Sequence, residues 1–176
     1  EKGQETVDGI KAAGGEASFV KVDISKAEEI KAMVQFTIDT YGRLDVGVNN
    51  AVLMPDDRPA DDFDEDCWDR IMAVNLKSIA LCQKYELKQM KKQGEGGSII
   101  NISSVSDFHT EADNIAYAAV KHAIVGITKI AASENGQYNI RVNAVVPGAN
   151  ETLMPRDAHE QTREIAEATL WLASDA

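Results

Sequence analysis

Residues 97–121 read GSIINISSVSDFHTEADNIAYAAVK and carry the polar side chains around which the rest of the chain is arranged. The apolar run 98–102 predicts a buried strand that ends in two serines, and the residues after the polar loop predict a helix. Tyr117 and Lys121 are four residues apart in that helix, so their side chains share one face.

A tyrosine beside a lysine predicts acid and base chemistry. A phenol ionises at about pH 10, so it accepts a proton at neutral pH only where a fixed positive charge lowers its pKa. Lys121 would supply that charge, and Ser104, 13 residues before Tyr117, could hold a substrate oxygen beside the phenol. The three side chains predict a site that moves a proton onto or off a carbonyl or an alcohol. Alone, the pair is more typical of a solvated tyrosine and a surface lysine, so other stretches must support the prediction.

Composition restricts the class of protein. The 176 residues are one domain's worth, and 44% hydrophobic with 27% charged residues is typical of a globular protein. A net charge of −11 argues against nucleic acid or an anionic membrane surface as partner, since both require a basic surface. No apolar run approaches the roughly 18 residues of a membrane span, so none is predicted.

The cysteines and acids predict no cross-link and no metal site. Cys67 and Cys82 lie 15 residues apart in one predicted helix, too far for a disulfide, so we expect reduced thiols and a cytoplasmic protein. The three histidines lack metal-ligand spacing. A calcium loop is conceivable in the acidic residues 56–66, but they lack its alternating ligands and central glycine, so a solvated loop is favoured.

The remaining chain alternates between strand and helix patterns. Strands are predicted at 17–23, 44–49, 98–102 and 140–146, and helices at 1–14, 25–41, 68–92, 114–136 and 160–174. Ser25 and Glu28 have the spacing of a capping box at the start of the second helix. This alternation predicts an α/β fold: a Rossmann-like, doubly wound parallel sheet in three layers, with helices on both faces.

These motifs resemble the short-chain dehydrogenase/reductase family, whose active-site signature is a serine at a strand end followed by Tyr-x-x-x-Lys on the next helix. Further stretches carry the resemblance: Val22-Asp23-Ile24, Asn49-Asn50-Ala51, Val74-Asn75-Leu76, and Pro147-Gly148 with Thr152. Each is weak alone, because an Asn-Asn turn or a Pro-Gly pair is usually plain turn chemistry. Their joint order and spacing make the likeness specific.

The resemblance implies an oxidoreductase that moves a hydride between NAD or NADP and an alcohol or carbonyl substrate. Tyr117 would be its acid and base, and Lys121 would also hold the nicotinamide ribose. Ser104 would orient the substrate oxygen, and Asn75 would anchor a water that relays the proton. Without the family, Asn75 would be a polar residue at a helix bend.

The resemblance also implies a set of cofactor contacts. These are Asp23 and Ile24 near the adenine, Asn49, Asn50 and Ala51 beside the adenosine half, and Pro147, Gly148 and Thr152 at the nicotinamide, together with Tyr117 and Lys121. Without the family, Thr152 would be a helix N-cap. The long helices, here 66–92 and 114–134, imply a homodimer or homotetramer.

The sequence departs from the family pattern in three ways. The strand, glycine-rich turn and helix that bind the pyrophosphate are not found, nor is the second strand, which distinguishes NAD from NADP. The last strand and a long substrate lid are also missing, and Val52 stands where the family turn has a glycine, which predicts crowding or strain. Residues 1–176 are therefore interpreted as a single domain truncated at both ends, with strand 44–49 as a bare apolar edge.

Two functions remain open. The first is an NAD(P)-dependent alcohol dehydrogenase or carbonyl reductase, favoured by the retained Ser104, Tyr117, Lys121 and Asn75. The second is a catalytically inactive remnant that acts as an oligomerisation or interaction module, favoured by the missing phosphate loop. The substrate is not predicted.

Overall fold

Three parallel strands form the sheet from which the candidate site is built. They are β1 (Val46–Asn49), β2 (Gly97–Ile102) and β3 (Ile140–Val145), hydrogen-bonded in the order β1-β2-β3. Val46 pairs with Ser98 and Gly97 pairs with Ile140, so the three carboxyl ends lie at one edge of the sheet. The computed structural model describes residues 2–53, 58–105, 114–148 and 155–174, with the side chains of 155–161 excepted.

Helices separate the strands along the described chain. They are α1 (Lys2–Ala12), α2 (Ala27–Tyr41), α3 (Glu65–Ile71), a π-helical segment (Met72–Lys77), α4 (Ser78–Gln93), α5 (Ile115–Asn135) and α6 (Pro155–Ala173). Asp64 caps α3 by accepting a hydrogen bond from Cys67 N at 2.7 Å. α4 ends at Gly94, whose φ of 77° lets its N–H reach back to Met90 O.

The side chains of β2 show which helices cover which face. Ser98 Oγ donates to Leu172 O of α6 at 2.8 Å, whereas Ile99 packs with Met90 of α4 and Ala131 of α5. Because successive side chains of a strand point to opposite faces, α6 covers one face and α4 with α5 cover the other. The predicted three-layer α/β fold is confirmed, with three strands among the described residues.

β1 is an edge strand with one uncovered face. Gly47 and Asn49 point towards α4, while Val46 and Val48 point away from it and remain 37% and 48% exposed. The apolar edge expected at 44–49 is therefore present, although the strand starts later, at Val46.

The predicted strand at 17–23 is wrong. The segment has no regular secondary structure, and Phe19 and Val20 are 50% and 39% exposed. A strand needs a hydrogen-bonded neighbour, and none of the described strands lies beside this segment. Its β-branched and aromatic residues therefore remain outside the sheet.

The predicted capping box at the start of α2 is also wrong. Ser25 Oγ donates to Asp23 Oδ1 at 2.6 Å instead of capping the helix, and Asp23 N donates to Glu29 Oε2 at 2.7 Å. Glu29, one residue beyond the predicted Glu28, therefore ties the helix to the preceding turn. Lys26, at the N-cap position, makes no side-chain capping bond.

α5 is the apolar helix that joins the two hydrophobic clusters. By length and composition alone, the segment Ile115–Tyr138 is long and apolar enough to cross a membrane, with a mean hydropathy of 1.3. In this fold Val120 and Ile124 pack in the cluster with α3, and Ala131 packs in the cluster with β2 and β3. One third of its most apolar window is buried, and the buried side chains belong to these two clusters.

Candidate active site

The chain segments that leave β2 and β3 are bonded to each other at the carboxyl end of the sheet. Ser103 N donates to Val145 O, and Val105 N donates to Pro147 O, both at 2.8 Å. Ser104 lies between these two bonds and is half-buried. The structure thus places Ser104 and Pro147 on adjoining strand ends, where parallel α/β sheets bind ligands.

Tyr117 and Lys121 lie on one face of α5, as their spacing predicts. Lys121 Nζ is 5.3 Å from the centre of the Tyr117 ring. Lys121 is only 4% exposed, and its Nζ donates to Ile102 O, the last residue of β2, at 2.9 Å. In return, Ser103 Oγ donates to Lys121 O at 3.1 Å. The ammonium group is therefore fixed between the tyrosine ring and the strand that leads to Ser104.

Asn75 lies in the π-helical segment and is 1% exposed. Its Oδ1 accepts from Leu53 N at 2.7 Å, and its Nδ2 donates to Leu53 O at 2.8 Å. The side chain thus fastens the loop after β1 to a segment that packs against α5. Short π segments are frequent at functional sites because they displace the helix register locally. The water-anchoring role that the resemblance implies for Asn75 stays a prediction.

A small cavity brings together four of the residues expected at the adenosine half of a dinucleotide. Ile24, Asn49, Asn50 and Ala51 line about 110 Å³, together with apolar walls that include Met33 and Ile79. Whole-ligand pockets usually enclose about 300–1,000 Å³, so this one has room for only part of a ligand. A mostly apolar slot closed by amide groups suits a flat aromatic base with polar edges.

Asp23 does not line that cavity, although it precedes Ile24. Its Oδ1 accepts from Ser25 Oγ at 2.6 Å and from Ser25 N at 3.0 Å, and its Oδ2 is 3.3 Å from Lys26 Nζ. The hydrogen bonds from Ser25, with a smaller contribution from Lys26, lower the pKa of Asp23. Its carboxylate is therefore engaged in the turn before α2, and the adenine contact stays a prediction.

The remaining predicted positions fall partly outside the structure. Gly148 lies at the end of the described segment that follows β3, whereas Thr152 lies outside the described residues. The strain expected at Val52 is absent, because Asn139 is the only non-glycine with a positive φ in the described ranges. A valine is therefore accommodated there without left-handed backbone.

A larger cavity lies at the opposite end of the sheet. It encloses about 380 Å³ near the amino ends of the strands, beside Arg43, Glu95 and Arg141. Arg43 Nη2 lies 2.6 Å from Asp45 Oδ1 and 2.9 Å from Glu95 Oε2, so its charge is already compensated. Within the described part of the chain, no cluster of His, Cys, Asp or Glu could hold a metal.

Two residues that contact the site residues are not predicted from the sequence. Ser103 binds the backbone of Lys121, and the pair of serines ending β2 was the available signal for it. Leu53 meets Asn75 only through its backbone, so no side-chain pattern marks it. Cys67 and Cys82 are buried free thiols, and Cys82 belongs to the lining of the small cavity.

Comparison with known proteins places this arrangement in a family. Residues 1–163 match the model of the short chain dehydrogenase family. The chain belongs to the short-chain dehydrogenase/reductase family. This is a family of oxidoreductases, so the resemblance drawn from the sequence motifs is confirmed.

Individual relatives agree with this placement. A short chain dehydrogenase/reductase, astE, of Aspergillus oryzae is 43% identical over 197 aligned positions, covering 99% of this chain and 75% of the relative. An uncharacterized oxidoreductase of Thermotoga maritima is 45% identical, covering 89% of this chain and 61% of the relative. The crystal structure of acetoin dehydrogenase from Enterobacter cloacae matches with a TM-score of 0.87 and 35% identity, covering 98% of this chain and 73% of that chain.

Proposed function

We propose that this protein is an NAD(P)-dependent oxidoreductase that interconverts an alcohol and a carbonyl compound, with Tyr117 as acid and base. The observation that carries the proposal is the placement of Lys121, buried at 4% exposure, with its Nζ 2.9 Å from Ile102 O and 5.3 Å from the Tyr117 ring. Burying a lysine side chain costs free energy unless its charged group is hydrogen-bonded or paired. Here it faces a phenol at the carboxyl end of a parallel sheet.

Each side chain has a defined task in this reaction. In reduction, Tyr117 gives its phenolic proton to the carbonyl oxygen as the carbon receives a hydride; in oxidation it takes the proton back. The Lys121 ammonium stabilises the negative charge that this transfer leaves on the phenolic oxygen. Ser104 donates a hydrogen bond to the substrate oxygen and holds it beside Tyr117. The nicotinamide, when bound, supplies or accepts the hydride.

The residues present fit the adenosine half of such a cofactor. The slot formed by Ile24, Asn49, Asn50 and Ala51 has apolar walls for the base and amide groups at its rim. Pro147 O accepts a hydrogen bond from Val105 N, next to Ser104, which supports assigning the segment from Pro147 to Gly148 to the nicotinamide. We assign these residues to NAD or NADP without choosing between them.

For the substrate we propose a small secondary alcohol or the matching ketone. One structural relative named above is an acetoin dehydrogenase, and acetoin carries a ketone beside a secondary alcohol. A ketone of this class offers one oxygen for Tyr117 and Ser104 to share.

A second candidate function is association through α5. Ile130 lies on this helix and is 61% exposed, which is unusual for an isoleucine in a core helix. We propose that this face meets a second copy of the chain. Such an interface is compatible with catalysis, and it would be the sole remaining function if the chain were inactive.

The test of the main proposal is calorimetric titration of the protein with NADH and NADPH, followed by a spectrophotometric hydride-transfer assay with small ketones. We expect one dinucleotide to bind with one site per chain and to be oxidised by at least one ketone. Failure of both dinucleotides to bind at millimolar concentration would overturn the proposal and leave association as the function.

A further inference from the structure

A carboxyl group lies buried on α4, outside the catalytic side chains. Glu86 is 5% exposed, and its Oε2 accepts a hydrogen bond from Asn49 Nδ2 at 3.2 Å. Its Oε1 lies against the backbone of β1, where a Cβ added to Gly47 would come within 2.5 Å of it. The glycine therefore makes the space that the carboxyl group occupies.

Asn49 connects this carboxyl group to a buried chain of amides. Its Nδ2 also donates to Asn101 Oδ1 at 3.0 Å. Asn101 Nδ2 in turn donates to Gln83 Oε1 at 3.2 Å and to Thr128 Oγ1 at 2.9 Å. The chain of hydrogen bonds joins α4, β1, β2 and α5, and Asn49 is held between Glu86 and Asn101.

The same Asn49 begins the turn that lines the small cavity. Asn49, Asn50 and Ala51 form one wall, and Cys82, one helical turn before Glu86 on α4, belongs to the lining too. Glu86 therefore supports the wall from the side that faces away from the cavity.

We propose that Glu86 is a positioning residue of this cavity. Glu86 holds Asn49, and through Asn49 it holds the turn 49–51, in the conformation that accepts an adenosine group. The identity of the ligand rests on the function proposed above, whereas the support of the turn does not. Glu86 acts through Asn49 and touches no ligand itself.

The surroundings of Glu86 make this support sensitive to pH. Burial raises the pKa of Glu86 to about 7, and the hydrogen bond from Asn49 only partly opposes this. β1 and β2 present neutral amides to this region, α5 presents the hydroxyl of Thr128, and the buried residues of α2 are Ile30 and Val34. On α4, burial and the nearby Glu86 raise the pKa of the Cys82 thiol to about 12, so it stays neutral.

Ionisation of Glu86 therefore places an uncompensated charge beside β1. Among the described residues no salt bridge reaches it. A buried carboxylate of this kind draws in water or moves towards it, because its desolvation is not offset by a cation. The turn 49–51 should then loosen as the pH rises through 7.

The experiment compares the protein with Glu86→Gln, Glu86→Leu and Glu164→Gln at pH 6 and pH 8.5. Gln keeps the shape of the neutral carboxyl group, Leu removes its hydrogen bond, and Glu164→Gln removes an exposed carboxylate from α6 as a matched control. NADH is the probe in a calorimetric titration. Amide hydrogen exchange of residues 49–53, corrected for intrinsic pH dependence, reports on the turn without ligand.

We expect the unsubstituted protein and Glu164→Gln to bind NADH about five-fold more weakly at pH 8.5 and to lose protection of the turn. Glu86→Gln should show neither change, and Glu86→Leu should bind about ten-fold more weakly at both pH values. If Glu86→Gln keeps the pH dependence of the unsubstituted protein, the proposal is overturned. If NADH does not bind but the exchange pattern appears, the cofactor assignment fails and the support of the turn by Glu86 stands.

Discussion

Lys121 and Ser103 are bonded in a way that locks α5 onto the end of β2: Ser103 Oγ donates to Lys121 O at 3.1 Å, while Lys121 Nζ reaches Ile102 O, one residue earlier, at 2.9 Å. Both the backbone and the side chain of Lys121 are therefore fixed by two consecutive residues, the last one of β2 and the one that follows it. This double attachment sets where the positive charge lies relative to Tyr117.

Removing the positive charge of Lys121 should lower kcat strongly and the free energy of unfolding only slightly. Lys121→Met loses the ammonium group and the bond to Ile102 O, so we expect kcat to fall by about 100-fold to 1,000-fold. The free energy of unfolding should fall by only about 1–2 kcal/mol. Initial rates and urea denaturation measure the two effects. Lys129→Met, on an exposed position of the same helix, is the control and should leave both unchanged.

Tyr117→Phe isolates the phenolic proton. The ring remains, so its contact with Lys121 at 5.3 Å and its packing should persist. We expect kcat to fall by about 100-fold to 10,000-fold, with the dissociation constant for the dinucleotide nearly unchanged. Stopped-flow turnover and calorimetry check this against Tyr138→Phe, a 47% exposed tyrosine outside the site. Retention of more than a tenth of the activity by Tyr117→Phe would remove the tyrosine from the mechanism.

Asn75→Ala tests the attachment of the loop after β1. The substitution leaves both Leu53 N and Leu53 O without their side-chain partner. We expect a loss of about 2–4 kcal/mol in unfolding free energy and faster hydrogen exchange at the amide of Leu53. Gln137→Ala, on an exposed residue, should change neither quantity. An unchanged exchange rate at Leu53 would show that the loop is held by other contacts.

The raised pKa of Glu86 predicts how stability changes with pH. Because the folded state binds this proton more tightly than the unfolded state, the contribution of Glu86 is greatest below about pH 4.5 and is lost as the pH rises through 7. The full change is roughly 3 kcal/mol. Relative to the unsubstituted protein, Glu86→Gln should therefore gain roughly 2 kcal/mol between pH 5.5 and pH 8.5. Urea denaturation at both pH values measures it, and a constant difference between the two proteins would contradict the prediction.

Association through α5 predicts a dependence on Ile130. Ile130→Glu places a charge on the exposed face, so a dimer or tetramer that uses this face should dissociate. Sedimentation velocity measures the change. Leu170→Glu, at a residue of α6 that is 70% exposed, is the matched control and should keep the assembly intact. Equal behaviour of the two variants would exclude this face as the interface.

The sequence predicts the central part of the fold well because periodicity there coincides with burial. The bounds 98–102 and 140–146 differ from β2 and β3 by one residue at a single end, and the helix with Tyr117 and Lys121 begins at Ile115. In these segments most of the regularly spaced apolar residues are buried, with Ile115 and Ile130 of α5 as exposed exceptions. The spacing of apolar residues in the sequence therefore largely matches the spacing of buried side chains in the structure.

Sequence-based prediction fails where the conformation of a segment depends on a neighbour that is distant in the sequence. Residues 17–23 have strand propensity but no hydrogen-bonding neighbour, and propensity cannot replace that neighbour. The π-helical turn at Met72–Lys77 interrupts an otherwise regular apolar pattern, so periodicity reads it as one helix with α3 and α4. The pairing of Asn75 with Leu53 follows from this turn, and so does not appear in the sequence.

The π-helical segment also sets the angular phase of everything that follows it. One extra residue in a helical turn rotates the downstream helix by about 100° relative to an uninterrupted α-helix. Cys82 and Glu86 follow this segment in α4, so the direction of their side chains depends on that rotation. A deletion of one residue within Met72–Lys77 that restored regular α-helix would turn both side chains towards another direction and leave the space beside Gly47 empty. The π-helical segment thus lets α3 pack against α5 while Glu86 of α4 faces β1.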